Sequence, residues 1–286
     1  MTRRGFLAPT LGALVAACSP LGALNALGPR DRGAGRIARD VAYGDHDRQT
    51  LDIYAPRGRP EGGGDWPLLV FFYGGGWAAG SKDQYGWAAQ ALASRGFVVA
   101  VPDYRLVPEV RFPTFIEDAA AATTFVGARV REWGADADRL GVLGHSAGAH
   151  LALMITLDRR YMAAAGAPDV IKAAAGLAGP YEFLPLNVKS AIDAFGQAPD
   201  PLQTQPIHFA RADAPPIWLG HGTGDETVHA EDTLLMSARL RELGVPVERK
   251  LYEGLNHADL IATFSPLFRN KAPVLADVAG FFDGVL

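Results

Sequence analysis

The sequence predicts one α/β domain built around a mostly parallel sheet. Apolar segments of strand length alternate with segments of helical pattern from about residue 37 onward, as in folds whose helices connect parallel strands. Residues 68–72 and 97–101 are continuous apolar runs, which is typical of strands covered on both faces. The chain has 286 residues, 49% of them hydrophobic, so it can bury a large core without disulfides or zinc.

The other elements follow in the same alternating order. A turn-rich, proline-rich segment at about 181–211 interrupts the alternation and is interpreted as a small lid insertion. Further strands are predicted at 37–43, 50–54, 140–143, 217–220 and 247–252, and helices at 82–95, 114–132, 147–157, 230–243 and 272–284.

Composition excludes several classes of function. The formal net charge is −4 and no basic stripe is present, so nucleic acid is not an expected partner. The single cysteine, Cys18, can form neither an internal disulfide nor a cysteine-rich zinc site. The HExxH, P-loop and GxGxxG signatures are absent, so we expect no metal and no organic cofactor.

The N-terminal residues have the pattern of an export signal. Residues 1–17 carry two arginines followed by an apolar stretch, similar to a twin-arginine signal peptide. Residues 15–18 (VAAC) resemble a bacterial lipobox, which implies lipidation of Cys18. The alternative is an uncleaved N-terminal membrane anchor. Residues 18–36 are interpreted as a linker. We therefore expect a bacterial protein that is exported, either to the periplasm or as a lipoprotein attached to the outer membrane.

Residues 144–148 (GHSAG) match the G-x-S-x-G pattern of a nucleophile elbow. An apolar strand precedes the motif and a helix follows it, which is the context the motif requires. The glycines permit a sharp turn that exposes the serine hydroxyl. Ser146 is therefore the predicted nucleophile.

A serine nucleophile needs a base, and the base needs an orienting carboxylate. In hydrolases with this motif, the acid and then the base follow the serine along the chain. Asp225 follows the strand 217–220 and is the predicted acid, with Glu226 its exposed neighbour. His257 follows the last strand in a turn-rich loop and is the predicted base. Three further histidines fit less well because of their position or order: His208, His221 and His229.

A glycine-rich segment follows the strand 68–72. Consecutive glycines in residues 73–77 (YGGGW) allow backbone N–H groups to approach a ligand without interference from a Cβ atom. The N–H of Ala147, directly after the nucleophile, is a further donor. This arrangement predicts an oxyanion hole.

Taken in order, these motifs resemble the α/β-hydrolase fold over about residues 37–286. They are similar to its hormone-sensitive-lipase-like esterases and to the related bacterial esterase and formamidase group. The resemblance implies Ser146, Asp225 and His257 as the catalytic triad. It also implies oxyanion donors at Gly75, Gly76 and Ala147. The motifs that carry it are residues 74–77, 103–109 with 112–113, 144–148, 221–225 and His257.

One position departs from that family. Tyr73 stands where the family usually has a histidine that braces the glycine loop, and its hydroxyl is expected to serve the same purpose. Arg105 and Glu109 are expected to form ion pairs that hold this loop.

The predicted activity is hydrolysis of small-molecule carboxylic esters through an acyl-enzyme on Ser146. The alternatives are an amidase of the arylformamidase type and a non-catalytic hydrolase-fold lipoprotein. Attachment to a membrane is expected through lipidated Cys18 or through an N-terminal anchor. The candidate walls of the substrate pocket are Trp77, Tyr104, Phe183 and Leu184.

Overall fold

The computed structural model describes residues 20–60 and 63–286. Its centre is an eight-stranded sheet in the order β1-β2-β4-β3-β5-β6-β7-β8. The strands are β1 (Ala34–Ala42), β2 (Thr50–Pro56), β3 (Trp66–Phe72), β4 (Val98–Pro102), β5 (Ala135–His145), β6 (Ala173–Leu177), β7 (Ile217–Gly222) and β8 (Val247–Tyr252).

The sheet is mostly parallel, as the sequence predicts. Only the β1–β2 and β2–β4 pairs are antiparallel, and every other pair of neighbouring strands is parallel. The apolar side chains of 68–72 are completely buried, because helices cover both faces of a parallel sheet. The carboxyl ends of β3, β5 and β7 consequently meet at one edge of the sheet, where ligands bind in open α/β folds.

The helices connect the strands and pack on the sheet. Three short 3-10 helices lie at Val130–Trp133, Pro201–Thr204 and Pro206–Phe209 in the described part of the chain. The α-helices are α1 (Pro20–Leu27), α2 (Lys82–Ala93), α3 (Thr114–Arg129), α4 (Ala147–Leu157), α5 (Arg159–Ala164), α6 (Lys189–Phe195), α7 (Ala230–Glu242), α8 (His257–Ala262) and α9 (Val274–Val285).

The sequence analysis missed strand β6. Four of its five residues (AAAGL) are alanine or glycine and none is β-branched, so local composition does not favour a strand. Tertiary packing decides the conformation, since β6 pairs on both sides, with β5 and with β7. The predicted lid also differs in detail, because 181–211 contains α6 and two 3-10 helices.

The predicted linker over 18–36 is wrong where the structure describes it. Residues 20–27 form α1, and β1 already begins at Ala34. Leu24 is buried against the core, and the Asn25 side chain donates a hydrogen bond to the Asp83 carbonyl of α2. Local composition cannot reveal such contacts, because the partner lies far along the chain.

The N-terminal predictions concern residues that the structure does not describe. The signal peptide over 1–17 and lipidated Cys18 lie outside the described residues. Within 20–60 and 63–286, no helix combines the length and apolar character needed to cross a membrane.

Candidate active site

Ser146 occupies a sharp turn between β5 and α4. Its φ of 57° lies in the left-handed region, a strained conformation that costs a non-glycine residue about 1–3 kcal/mol. The Ser146 N–H donates to the Leu177 carbonyl of β6 at 2.8 Å, and the Ser146 carbonyl accepts from the Ala149 N–H at 2.9 Å. Both neighbouring elements therefore hold this turn in place.

Close backbone packing explains the two glycines of the GHSAG segment. A Cβ atom on Gly144 would overlap the Gly148 carbonyl oxygen. A Cβ atom on Gly148 would overlap the Phe72 carbonyl oxygen at the end of β3. These overlaps involve backbone atoms, which cannot move aside cheaply, so the turn next to Ser146 requires glycine at both positions.

The structure brings His257 and Asp225 into direct contact. The His257 Nδ1–H donates to Asp225 Oδ2 at 2.7 Å, and Asp225 Oδ1 accepts from the N–H groups of Thr227 and Val228 at 2.9 and 3.0 Å. Burial alone would raise the pKa of the Asp225 carboxyl, but hydrogen bonds from His221, His257 and the Val228 N–H hold that pKa well below its usual value. Asp225 is therefore a buried carboxylate with both oxygens occupied.

Ser146 and His257 line the same cavity, which has a volume of about 670 Å³. Asp225 lies behind His257, away from the cavity. The predicted pocket residues Trp77, Phe183 and Leu184 line this cavity. Trp77 and Phe183 stack with their ring centroids 5.8 Å apart, so they form one continuous aromatic wall.

The glycine loop after β3 lines the cavity beside Ser146. Gly75 and Gly76 have φ values of 142° and 57°, and the Gly75 carbonyl accepts from the Ala78 and Ala79 N–H groups. Among the described residues, no acceptor is found for the N–H groups of Gly75, Gly76 and Ala147. All three residues line the cavity, so these donors are available to a ligand.

Tyr73 anchors the start of this loop from behind. Its hydroxyl donates to Asp103 Oδ1 at 2.6 Å and accepts from Arg48 Nη2 at 2.8 Å. Arg48 also donates to the carbonyls of Tyr104 and Gly80, at 2.9 and 3.1 Å. Burial raises the pKa of Tyr73 well above its usual value, so the phenol stays protonated.

The assignment of Tyr104 to the pocket wall is wrong. Tyr104 is completely buried and does not line the cavity. Its ring stacks on Tyr73 at 4.9 Å, and its hydroxyl donates to the Tyr73 carbonyl at 2.9 Å. It supports the glycine loop from the core, because its hydroxyl finds a backbone acceptor there.

The expected ion pairs of Arg105 and Glu109 do not hold the glycine loop. Arg105 pairs with Asp118 of α3 at 2.7 Å, and Glu109 pairs with His46 at 2.7 Å. Arg48 makes the loop contacts instead. Sequence reasoning missed Arg48 because it lies well upstream of every recognisable motif.

Two further histidines contact the predicted triad. His145 Nε2–H donates to the His257 carbonyl at 3.1 Å, and burial lowers the pKa of His145 to about 3, so its ring is neutral. His221 Nε2 lies 3.2 Å from Asp225 Oδ2. Both residues stand within motifs identified in the sequence, at 144–148 and 221–225, but their contacts are visible only in the folded structure.

Comparison with solved structures identifies the fold. Esterase B from Lactobacillus rhamnosis superposes with a TM-score of 0.82 at 19% identity, covering 96% of this chain and 93% of that one. The architecture is the α/β-hydrolase fold. The BD-FAE family model matches residues 51–240, and the chain belongs to that family.

Curated relatives share moderate identity with the chain. A probable isoprenylcysteine alpha-carbonyl methylesterase of Oryza sativa subsp. japonica is 30% identical over 270 residues, covering 85% of this chain and 62% of the relative. Esterase LipC of Mycobacterium tuberculosis is 30% identical over 225 residues, covering 71% of this chain and 55% of the relative. The chain spans between 51% and 63% of the length of the methylesterase relatives.

Proposed function

We propose that this protein is a serine hydrolase that cleaves carboxylic esters of small molecules. The observation that carries the proposal is one cavity lined by Ser146, by His257 and by three N–H groups for which the described residues offer no acceptor. Asp225 is hydrogen-bonded to His257 from behind the cavity. The names of the relatives, which include esterases and methylesterases, support the same class of reaction.

The reaction proceeds in two acyl-transfer steps. Ser146 Oγ attacks the ester carbonyl while His257 Nε2 takes the hydroxyl proton, and His257 then returns this proton to the leaving alcohol. Water attacks the resulting acyl-enzyme with His257 as general base, which releases the carboxylic acid and restores Ser146. Asp225 fixes the imidazole orientation and stabilises its protonated form.

The glycine loop stabilises the charge that develops on the carbonyl oxygen. The N–H groups of Gly75, Gly76 and Ala147 are the donors, and each such donor contributes about 3–4 kcal/mol in comparable sites. Tyr73 and Arg48 act behind the loop and keep it in place before substrate arrives. The stacked rings of Trp77 and Phe183 offer an apolar surface to the substrate.

Labelling and turnover test this proposal. The purified full-length chain is treated with a fluorophosphonate and mapped by peptide mass spectrometry, with p-nitrophenyl butyrate hydrolysis measured in parallel. We expect the label on Ser146. Ser146→Ala should lose both labelling and turnover, while Ser94→Ala, a change distant from the cavity, should keep both. Folded wild-type protein that neither reacts nor hydrolyses esters would overturn the proposal.

We also propose that the protein is exported and attached to a membrane through lipidated Cys18. The two N-terminal arginines, the apolar stretch and the sequence VAAC at 15–18 support this proposal. In a bacterial host, metabolic labelling with a fatty-acid analogue should mark the wild type but not Cys18→Ser. Equal labelling of the two proteins, or none in a membrane fraction, would contradict lipid attachment.

A further inference from the structure

His221 is a buried titratable residue that the proposed mechanism does not use. It lies on β7, and its side chain is inaccessible to solvent. The sequence analysis set it aside as a base because it precedes Asp225 in the chain. In the folded protein it is not among the residues that line the cavity, so we expect it to act through another residue.

The hydrogen bonds of His221 fix the position of one ring proton. Nε2 lies 2.9 Å from the Val228 carbonyl oxygen, and because a carbonyl only accepts, Nε2 carries a proton. Nδ1 lies 2.8 Å from the hydroxyl of Thr233 on α7. The ring is thus held from both sides, by the segment after Asp225 and by the following helix.

The same Nε2–H also faces the proposed catalytic acid. Nε2 is 3.2 Å from Asp225 Oδ2, the oxygen that accepts from His257 Nδ1–H at 2.7 Å. Oδ2 therefore accepts a hydrogen bond from His257, while the His221 Nε2–H, whose hydrogen bond goes to the Val228 carbonyl, lies in close contact with the same oxygen. The other oxygen is held by two backbone N–H groups, so His221 adds to the restraint that His257 places on Oδ2.

We infer that His221 is a positioning residue, which holds Asp225 Oδ2 where His257 Nδ1–H meets it. The inference rests on the proposed function, because the orientation of His257 matters only if His257 is the base. Without His221, Oδ2 loses one of the groups that restrain it, so the carboxylate can tilt about its anchored Oδ1 and the imidazole tilts with it. A misplacement of about 1 Å in such a group costs on the order of 100-fold in rate.

Substitutions of matched length test this role. His221→Met keeps a side chain of comparable reach but has no donor, whereas His221→Gln retains an N–H at a similar distance. With p-nitrophenyl butyrate, we expect His221→Met to lower kcat about 10- to 100-fold, with KM changed by no more than about threefold. His221→Gln should recover most of the lost rate.

Two further measurements separate positioning from a general structural role. Proton NMR follows the His257 Nδ1–H resonance, which should move in His221→Met and return toward its wild-type position in His221→Gln. Thermal unfolding is measured on each variant. If the Met and Gln variants lose activity equally and only in proportion to lost stability, the inference is wrong. An unchanged kcat and an unchanged resonance in His221→Met would also overturn it.

A second variant keeps the inference testable if His221→Met does not fold. Thr233→Val removes the hydroxyl next to His221 Nδ1, while Thr123→Val removes a buried hydroxyl that bonds only within its own helix α3. We expect a lower kcat for Thr233→Val and an unchanged kcat for Thr123→Val, and equal values would contradict the inference. If the wild type itself shows no turnover and no labelling, the proposed function fails, and the NMR comparison still tests the contact.

Discussion

Ser146 and its two flanking glycines show how backbone packing fixes the proposed nucleophile. The positive φ of Ser146 is maintained because strand β6 and helix α4 both hydrogen-bond its backbone. Gly148 packs directly on the carbonyl of Phe72, so β3 and α4 approach more closely than any side chain would allow.

Gly148→Ala should therefore prevent stable folding or abolish activity. The new methyl group would overlap the carbonyl oxygen of Phe72 at the end of β3, which cannot move without disrupting the sheet. Gly280→Ala in α9 is the matched control, because a Cβ there has no neighbour within 4 Å. That variant should gain about 0.5–1 kcal/mol of unfolding free energy. Urea denaturation measures the unfolding free energy of both variants. Similar values for the two would refute the packing argument.

Tyr73 is expected to contribute to stability through its hydroxyl. Tyr73→Phe removes one bond to the Asp103 carboxylate and one from Arg48 in a buried site. The loss should be about 1.5–3 kcal/mol of unfolding free energy, as for hydrogen bonds to charged groups. Tyr161→Phe is the control, because the Tyr161 hydroxyl makes none of the hydrogen bonds found in the described part of the chain. Equal urea midpoints for the two variants would count against this role.

At the scale of elements, α4 connects the proposed nucleophile to the segment at 181–211. His150, on the first turn of α4, donates from Nε2 to the Thr204 carbonyl at 2.8 Å. Its ring also lies against Trp77 and Phe183, at centroid distances of 5.4 and 5.7 Å. This buried histidine thus connects the aromatic wall of the cavity, Trp77 and Phe183, to the helix that begins directly after Ser146.

Two buried histidines should make stability depend on pH. Burial lowers the pKa of His145 to about 3 and that of His150 to about 4, while unfolded histidine titrates near 6.5. The unfolded state therefore binds more protons between pH 4 and 6.5. Unfolding free energy should rise with pH across this window, by at most about 1.4 kcal/mol per pH unit for each histidine, and the stabilisation is lost as the pH falls.

Urea unfolding between pH 4 and 7 measures this slope. His150→Gln should reduce it, because one of the two buried groups no longer titrates. His208→Gln replaces an exposed histidine and should leave the slope unchanged. A flat stability profile in the wild type would show that these histidines are not the cause.

At the scale of the whole molecule, the charges around the cavity are unbalanced. No lysine or arginine is found among its lining residues in the described chain. Its acidic lining residues belong to the segments after β6 and β7 and to the first turn of α7. They are Glu182, Glu226, Glu231 and Asp232.

This charge distribution should discriminate between esters of different charge. At low salt, the butyrate ester of choline should react about tenfold faster than that of 2-hydroxyethanesulfonate, with the neutral 3,3-dimethylbutyl ester between them. The ratio should shrink at high salt and in Glu226→Gln combined with Glu231→Gln. Glu248→Gln, on the edge strand β8, is the control. Identical kcat/KM values for the three esters would contradict the prediction.

Much of the fold could be predicted because its signals are local. Continuous apolar runs identified β3 and β4, and the strand-turn-helix context identified the turn at Ser146. Strand β6 and helix α1 were missed, because small residues and a short helix carry little local preference. Their conformations come from pairing with β5 and β7, and from packing against α2.

The α/β class, the order of the motifs and the residue types available for the chemistry could all be predicted from the sequence. Periodicity and glycine placement are properties of neighbouring residues, so they can be recognised without the fold. Folding determines three further features: Tyr104 lies in the core, Arg48 holds the glycine loop together with Tyr73, and His221 reaches Asp225. These roles depend on contacts between side chains from separate elements and on which face of each strand is buried, and local sequence does not encode them.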